Sequence, residues 1–260
     1  MKKIDLKMLG ITAMVTGCVL AGSTSAFAAE PKFYDSNAVI KFKANEDGTT
    51  DPEKPVDPTD PGKEVDPVDP TKPGEKPDPG TKGPLSIDFA SSLIFGEQDI
   101  TSVEKTYTVK PQKFNNRNPE DGPNYVQVTD NRGTHKGWTL TLTQMGQFKT
   151  EAGQELKGAA ISFDNGHVVT TVEEGALHPI GPEKFTLQIA EDGTGVAQNI
   201  MVAGDGKGAG TYLHVYGDNS KAAESITLTV PGKTTKYAAN YSTKLKWTLS
   251  DVPVGNEGDE

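Results

Sequence analysis

The only two tryptophans of the 260-residue chain both stand in the tripeptide Trp-Thr-Leu, at Trp138-Thr139-Leu140 and Trp247-Thr248-Leu249. An indole offers a flat apolar face for a sugar ring or a partner's strand, and threonine hydroxyls beside it supply hydrogen bonds. The chemistry these residues suit is binding, with Trp138, Thr139, Leu140, Trp247, Thr248 and Leu249 as the candidate contacts. A second reading is compatible with it. The tryptophans pack a core and hold their strands in register, while Thr139, Thr141 and Thr248 form the contact face. Just upstream, Asp130, Arg132 and Gly133 read as a supporting ion pair and turn brace.

Nothing comparable marks a catalyst. His135, His167, His178 and His214 are scattered without metal-ligand spacing, and no Gly-x-Ser-x-Gly or His-Glu-x-x-His is present. The glycine-rich run Gly204–Gly210 lacks the spacing of a phosphate loop and reads as a mobile loop. The acidic turns at Asn45–Gly48 and Glu191–Gly193 offer too few ligands for calcium. Carboxylate pairs for glycoside hydrolysis meet only in space, so the sequence neither shows nor removes them. The reading is a binding protein, not an enzyme, with no cofactor and no metal.

The elements that must position the tryptophans are strands. In Gly137–Thr143 and Lys244–Ser250 apolar and polar residues alternate strictly, and successive strand side chains point to opposite faces. The same pattern predicts strands at Leu85–Phe89, Val103–Val109, Tyr125–Thr129, Ala160–Phe163, Val168–Val172, Phe185–Ile189, Tyr212–Tyr216 and Ile226–Val230. Asp164-Asn165-Gly166 signals a tight hairpin turn. Residues 85–254 are therefore expected to form one all-β domain, an immunoglobulin-like two-sheet sandwich with a long Pro-rich loop.

That loop is the segment 51–84, which holds ten of the eighteen prolines in a ragged Asp-Pro repeat. Proline removes backbone donors and fixes φ, so the expectation is an extended, solvated spacer without helix or sheet. Ahead of it, within residues 29–50, Ala38–Phe42 is strand-like and is expected to dock on the following domain.

The termini point to export. Lys2, Lys3 and Lys7 precede an apolar run, and Ala26-Phe27-Ala28 is a small-residue cleavage site, so residues 1–28 read as a signal peptide. Val15-Thr16-Gly17-Cys18 is a rival lipobox, but the apolar run continues past Cys18. Cys18 is the one cysteine, so the exported chain has no disulfide and must rely on its core. Residues 255–260 are an acidic tail, and no further apolar stretch is long enough for a membrane span. The net charge is −10, and it becomes more negative once Lys2, Lys3, Lys7 and Asp5 leave with the leader. Nucleic acid and anionic lipid are poor partners for such a chain. Repulsion from polyanionic wall polymers is screened beyond about 8 Å, so wall contacts must be short-range.

These residues together resemble a known family. The Ala38–Phe42 strand, the Asp-Pro segment, Gly83–Phe89, Phe95-Gly96, Val126–Gly133 leading into Gly137–Leu140, and Trp247-Thr248-Leu249 follow in the order seen in WxL-domain surface proteins of low-GC Gram-positive bacteria. The resemblance implies a secreted protein held non-covalently on peptidoglycan at the cell surface, with other surface proteins as partners and without enzymatic activity. It leaves open a purely structural subunit that binds neighbouring wall-associated proteins by a β-edge or by the Trp face.

Overall fold

The computed structural model describes Tyr34, residues 36–44 and residues 51–252. The leader expected at 1–28 and the tail at 255–260 lie outside the described residues. The chain divides into residues 1–41 and residues 42–260. In the first unit Tyr34 and residues 36–41 have no regular structure and are exposed.

The second unit is built of strands, in chain order β1 (Val56–Asp57), β2 (Asp60–Glu64), β3 (Leu85–Ala90), β4 (Lys105–Thr108), β5 (Gln112–Lys113), β6 (Asp121–Gly122), β7 (Asn124–Asp130), β8 (Trp138–Gln144), β9 (Ala160–Phe163), β10 (Gly166–Thr170), β11 (Phe185–Thr186), β12 (Gln198–Ala203), β13 (Gly210–Tyr216), β14 (Ile226–Val230) and β15 (Leu245–Ser250). Every strand predicted within 85–254 has a counterpart here, with ends shifted by a few residues. β12 escaped prediction because Ile200 and Met201 are both buried and a register shift falls between Asn199 and Met201, which breaks the period of two.

Three sheets, all antiparallel, carry the architecture. One runs β10-β13-β7-β3, the second β11-β9-β14-β4 and the third β12-β8-β15. The main core gathers Val126, Val128 and Tyr212 from the first sheet, Ile161, Phe163 and Leu228 from the second, and Trp138, Leu140 and Leu142 from the third. The fold is an all-β sandwich whose second wall is divided between two short sheets. β9 and β10 do not form the hairpin expected at Asp164-Asn165-Gly166. Asn165 has φ of 54° and turns the chain from the second sheet into the first, a corner fastened by its side-chain amide on the Ser225 hydroxyl at 3.1 Å.

The first sheet is buried on both faces, and this overturns the solvated spacer expected at 51–84. A second cluster of Val65, Phe89, Phe114, Tyr125, Leu213 and Val215 lies on its far face. Part of the Pro-rich segment folds over that face, with β1 and β2 pairing as a small hairpin. Two polar anchors hold it. The Gln127 side-chain carbonyl accepts the Val56 N–H at 2.8 Å, and its amide donates to Lys54 O and to the buried Asp88 carboxylate. Asp88 also accepts from Ser86, Thr129 and the Glu53 N–H, and its burial still lifts its carboxyl above the usual range. Farther along, Arg117 donates to Asp57 at 2.8 Å, with the two side chains only 4% and 11% exposed. Prolines take part without donating: Pro61 lies within β2, Pro67 bridges Phe114, and Pro55 O accepts the Val65 N–H at 2.9 Å, so proline density excludes a long strand but not a folded segment.

Ala38–Phe42 also departs from expectation. It forms no strand, and Val39, Ile40 and Phe42 are 93%, 77% and 84% exposed.

Candidate functional site

The two Trp-Thr-Leu strands are neighbours. β8 and β15 pair antiparallel with Trp247 opposite Leu142, Thr248 opposite Thr141 and Leu249 opposite Leu140. The alternation then sorts the motif residues by face. Trp138, Leu140, Leu142, Leu245, Trp247 and Leu249 belong to the main core or pack against it. Thr139, Thr141 and Thr143 of β8 share the outer face with Lys246, Thr248 and Ser250 of β15.

The tryptophans are not equivalent. Trp138 is fully buried, and its indole N–H donates to Gly208 O at 2.9 Å. Gly208 has φ of 82°, and a Cβ there would lie 2.5 Å from the Trp138 Nε1. The Gly204–Gly210 run is therefore fastened at its middle by the indole and is not the free loop the glycines suggested. Further bonds, from Gly206 N–H to His135 O and from Gly208 N–H to Leu177 O, fasten it to its surroundings. Trp247 is only half-buried, because among the described residues β15 has a neighbour on one side alone. The register offsets the two indoles by four residues, about 13 Å along the strands. They do not form a shared exposed platform.

The brace predicted at Asp130 and Arg132 is an ion pair with two hydrogen bonds, 2.9 and 2.8 Å. Arg132 also donates to Gly137 O at 2.7 Å, tying the end of β7 to the residue before Trp138. The pair raises the Arg132 guanidinium pKa still further, chiefly through the hydrogen bond to Asp130. Gly133 has φ of 66°, the left-handed conformation this turn needs.

What is exposed at the motif is hydroxyl-rich. Thr248 and Lys246 are exposed, Thr141, Thr143 and Ser250 are half-buried, and Asn199 of β12 stands across from Thr141. Thr139 is buried and donates to Val252 O at 3.1 Å. This face can donate and accept hydrogen bonds without carrying much charge, which suits a sugar or peptide surface. Beside it, along the free flank of β15, runs a groove of about 350 Å³ bordered by Leu245, Trp247, Val68, Ile87 and Ala90. Sequence reasoning missed Lys246, Asn199 and this groove, since only the pairing of distant strands brings them to the motif. Gly208 had a signal, in that a glycine-rich run often marks close approach of backbone to a bulky group.

Among the described residues no group of three or more His, Cys, Asp or Glu could hold a metal ion, and no helix is long and apolar enough to cross a membrane. The comparisons with curated proteins and with solved structures returned no match. A family model described as WxL domain, surface cell wall-binding, matches residues 29–253, a span that contains both Trp-Thr-Leu strands and the Asp130–Arg132 brace. The chain belongs to the WxL-domain family of surface cell-wall-binding proteins.

Proposed function

We propose that the protein is exported by cleavage after Ala28 in a Gram-positive cell and attaches non-covalently to peptidoglycan through the outer face of β8 and β15. The observation that carries the reading is the split of the motif. Its tryptophans and leucines form and support the core, while Thr248 is exposed beside Thr141 on the opposite side of the sheet. Hydroxyls, with Lys246 and Asn199, would hydrogen-bond the glycan or its stem peptide. Loss of Lys2, Lys3, Lys7 and Asp5 with the leader takes the net charge from −10 to −12, so the attraction is short-range and does not rest on charge steering. A second reading has the chain as a structural subunit bound to neighbouring wall-associated proteins, and the open flank of β15 favours it.

Cosedimentation of residues 29–260 with protein-free peptidoglycan tests this. The wild type should pellet. A Thr141→Val, Thr248→Val variant keeps the side-chain shape and should melt like wild type while pelleting at least tenfold less. Wild-type protein that stays in solution yet is retained on intact cells would support the subunit reading instead.

A further inference from the structure

Charge is unevenly spread along this acidic chain. Beyond the leader expected at 1–28, the two longest runs without an Asp or Glu are Asn131–Thr150 and Ser225–Ser250. The fold lays them side by side. β8 and β15 pair along their length, and past the strand ends the two loops continue together. Met145 N–H donates to Lys244 O at 2.8 Å, Lys149 and Ser242 exchange main-chain bonds of 2.9 Å, and the Thr234 hydroxyl donates to Lys157 O. Lys233, Lys236, Lys244 and Lys246 come from the second run, and the first run with the residues after it brings Lys149 and Lys157.

Most of these ammonium groups have no anionic partner. Lys149 is ion-paired with Glu155 at 2.8 Å, and Lys236 donates to Pro231 O and Thr234 O, which braces the turn. Lys157, Lys233, Lys244 and Lys246 are exposed and form no ion pair among the described residues. Glu224 and Asp251, which bound the second run, lie at the far ends of β14 and β15, about 20 Å from the loop by the rise of a strand. Other carboxylates border the strip without outnumbering its lysines. Glu104 stands next to Lys105 where Gly232 meets Val103, Glu151 follows Lys149, and Glu191 and Asp192 lie beyond Gly146 on the β12 side.

We infer that this strip, on the loops 145–159 and 231–244, is a contact site for a linear phosphodiester polymer of the wall. Such a polymer repels the acidic protein at long range, but screening over about 8 Å leaves the contact itself to local charge. Ammonium groups hold phosphate as point charges. Several of them spaced along two adjoining loops suit a chain of repeating charges better than a lone carboxylate. Tyr237, 49% exposed, lies in the same loop and adds an apolar surface. The inference requires only that the protein reaches the wall, and it does not rest on the hydroxyl face of β8 and β15.

Cosedimentation of residues 29–260 with two wall preparations separates the contacts. One retains its phosphodiester polymers, and the other has been stripped of them with hydrofluoric acid. Wild type should pellet at least fivefold more on the unstripped walls, and the excess should vanish in about 1 M salt, where the screening length falls to about 3 Å. A variant with Lys157→Gln, Lys233→Gln and Lys244→Gln should lose the excess while melting, and pelleting on stripped walls, as wild type does. No excess for wild type, or an excess that survives in the variant, would overturn the inference. Salt-sensitive pelleting on stripped walls that the variant loses would assign the strip to stem-peptide carboxylates and overturn the phosphodiester assignment. A variant that melts lower yet keeps the excess would show the lysines paired within their own chain, with the same consequence. Wild type that pellets only on unstripped walls would sink the hydroxyl-face reading and support this one.

Discussion

At the residue scale, the meaning of the motif lies in the unequal burial of its two tryptophans. Trp138 is enclosed by Gly208, Tyr212 and the strands around it, so Trp138→Ala leaves a cavity and strands the Gly208 carbonyl. The expected cost is about 3–5 kcal/mol, a large share of the 5–15 kcal/mol that holds a typical domain (about 0.1 kcal/mol per residue). Trp247 is half in solvent, and Trp247→Ala should cost about 1–2 kcal/mol from the smaller area returned to water. Urea denaturation of the two variants checks the order. Equal losses would mean that the edge position of β15 does not matter, and the asymmetry argument would fall.

At the element scale, the Pro-rich segment is a structural layer. Arg117 joins it to the rest of the domain by donating to Asp57, Thr59 and Asn219 and to the main chain at Pro119 and Asp121, with its guanidinium over the Phe114 ring. Burial alone would raise the Asp57 carboxyl, but the bonds from Thr59 and Arg117 outweigh it and hold the pKa below the usual range. Arg117→Ala leaves that carboxylate buried without its partner, at an expected cost of about 3–5 kcal/mol. Limited proteolysis should then cut first between β1 and Pro84. A solvated spacer would predict neither effect. Wild-type stability and cleavage pattern in this variant would restore the spacer reading.

At the scale of the whole molecule, stability should respond to acid through one buried histidine. His214 lies in the central strand β13, fully enclosed, with its ring 5.0 Å from Tyr216. Burial is the main reason its pKa is pushed down to about 4, and nearby His167 adds repulsion. The folded state thus binds its proton later than the unfolded chain does, whose histidine titrates near 6.5. Stability is fully present above about 6.5 and declines as pH falls from there toward 4, by at most about 3 kcal/mol. Asp57, Asp164 and Asp218, whose pKa values are lowered, act in a separate window below the usual carboxylate range. Thermal melts across pH 4–7 should show this decline, and His214→Gln should flatten it. The same slope in the variant would remove His214 as the cause.

Strand alternation sufficed to show where most strands run, which side chains share a face, and that Asp130 and Arg132 stand close enough to pair. These are local properties, set by a period of two and by separations of a few residues. The acidic balance and the ordered motifs are likewise written in the linear chain. Which strand lies beside which is not, because a face pattern says nothing about a partner more than a hundred residues away. Only the tertiary structure set β15 at an edge next to β8, and that placement alone decides that Trp138 is sealed while Trp247 is half open. It also decided that an Asp-Pro segment, whose composition argues for solvation, is ordered by Arg117, Gln127 and Asp88, groups supplied from outside that segment. Long-range partners can satisfy a backbone that its own neighbours cannot, and that information exists only once the chain has folded.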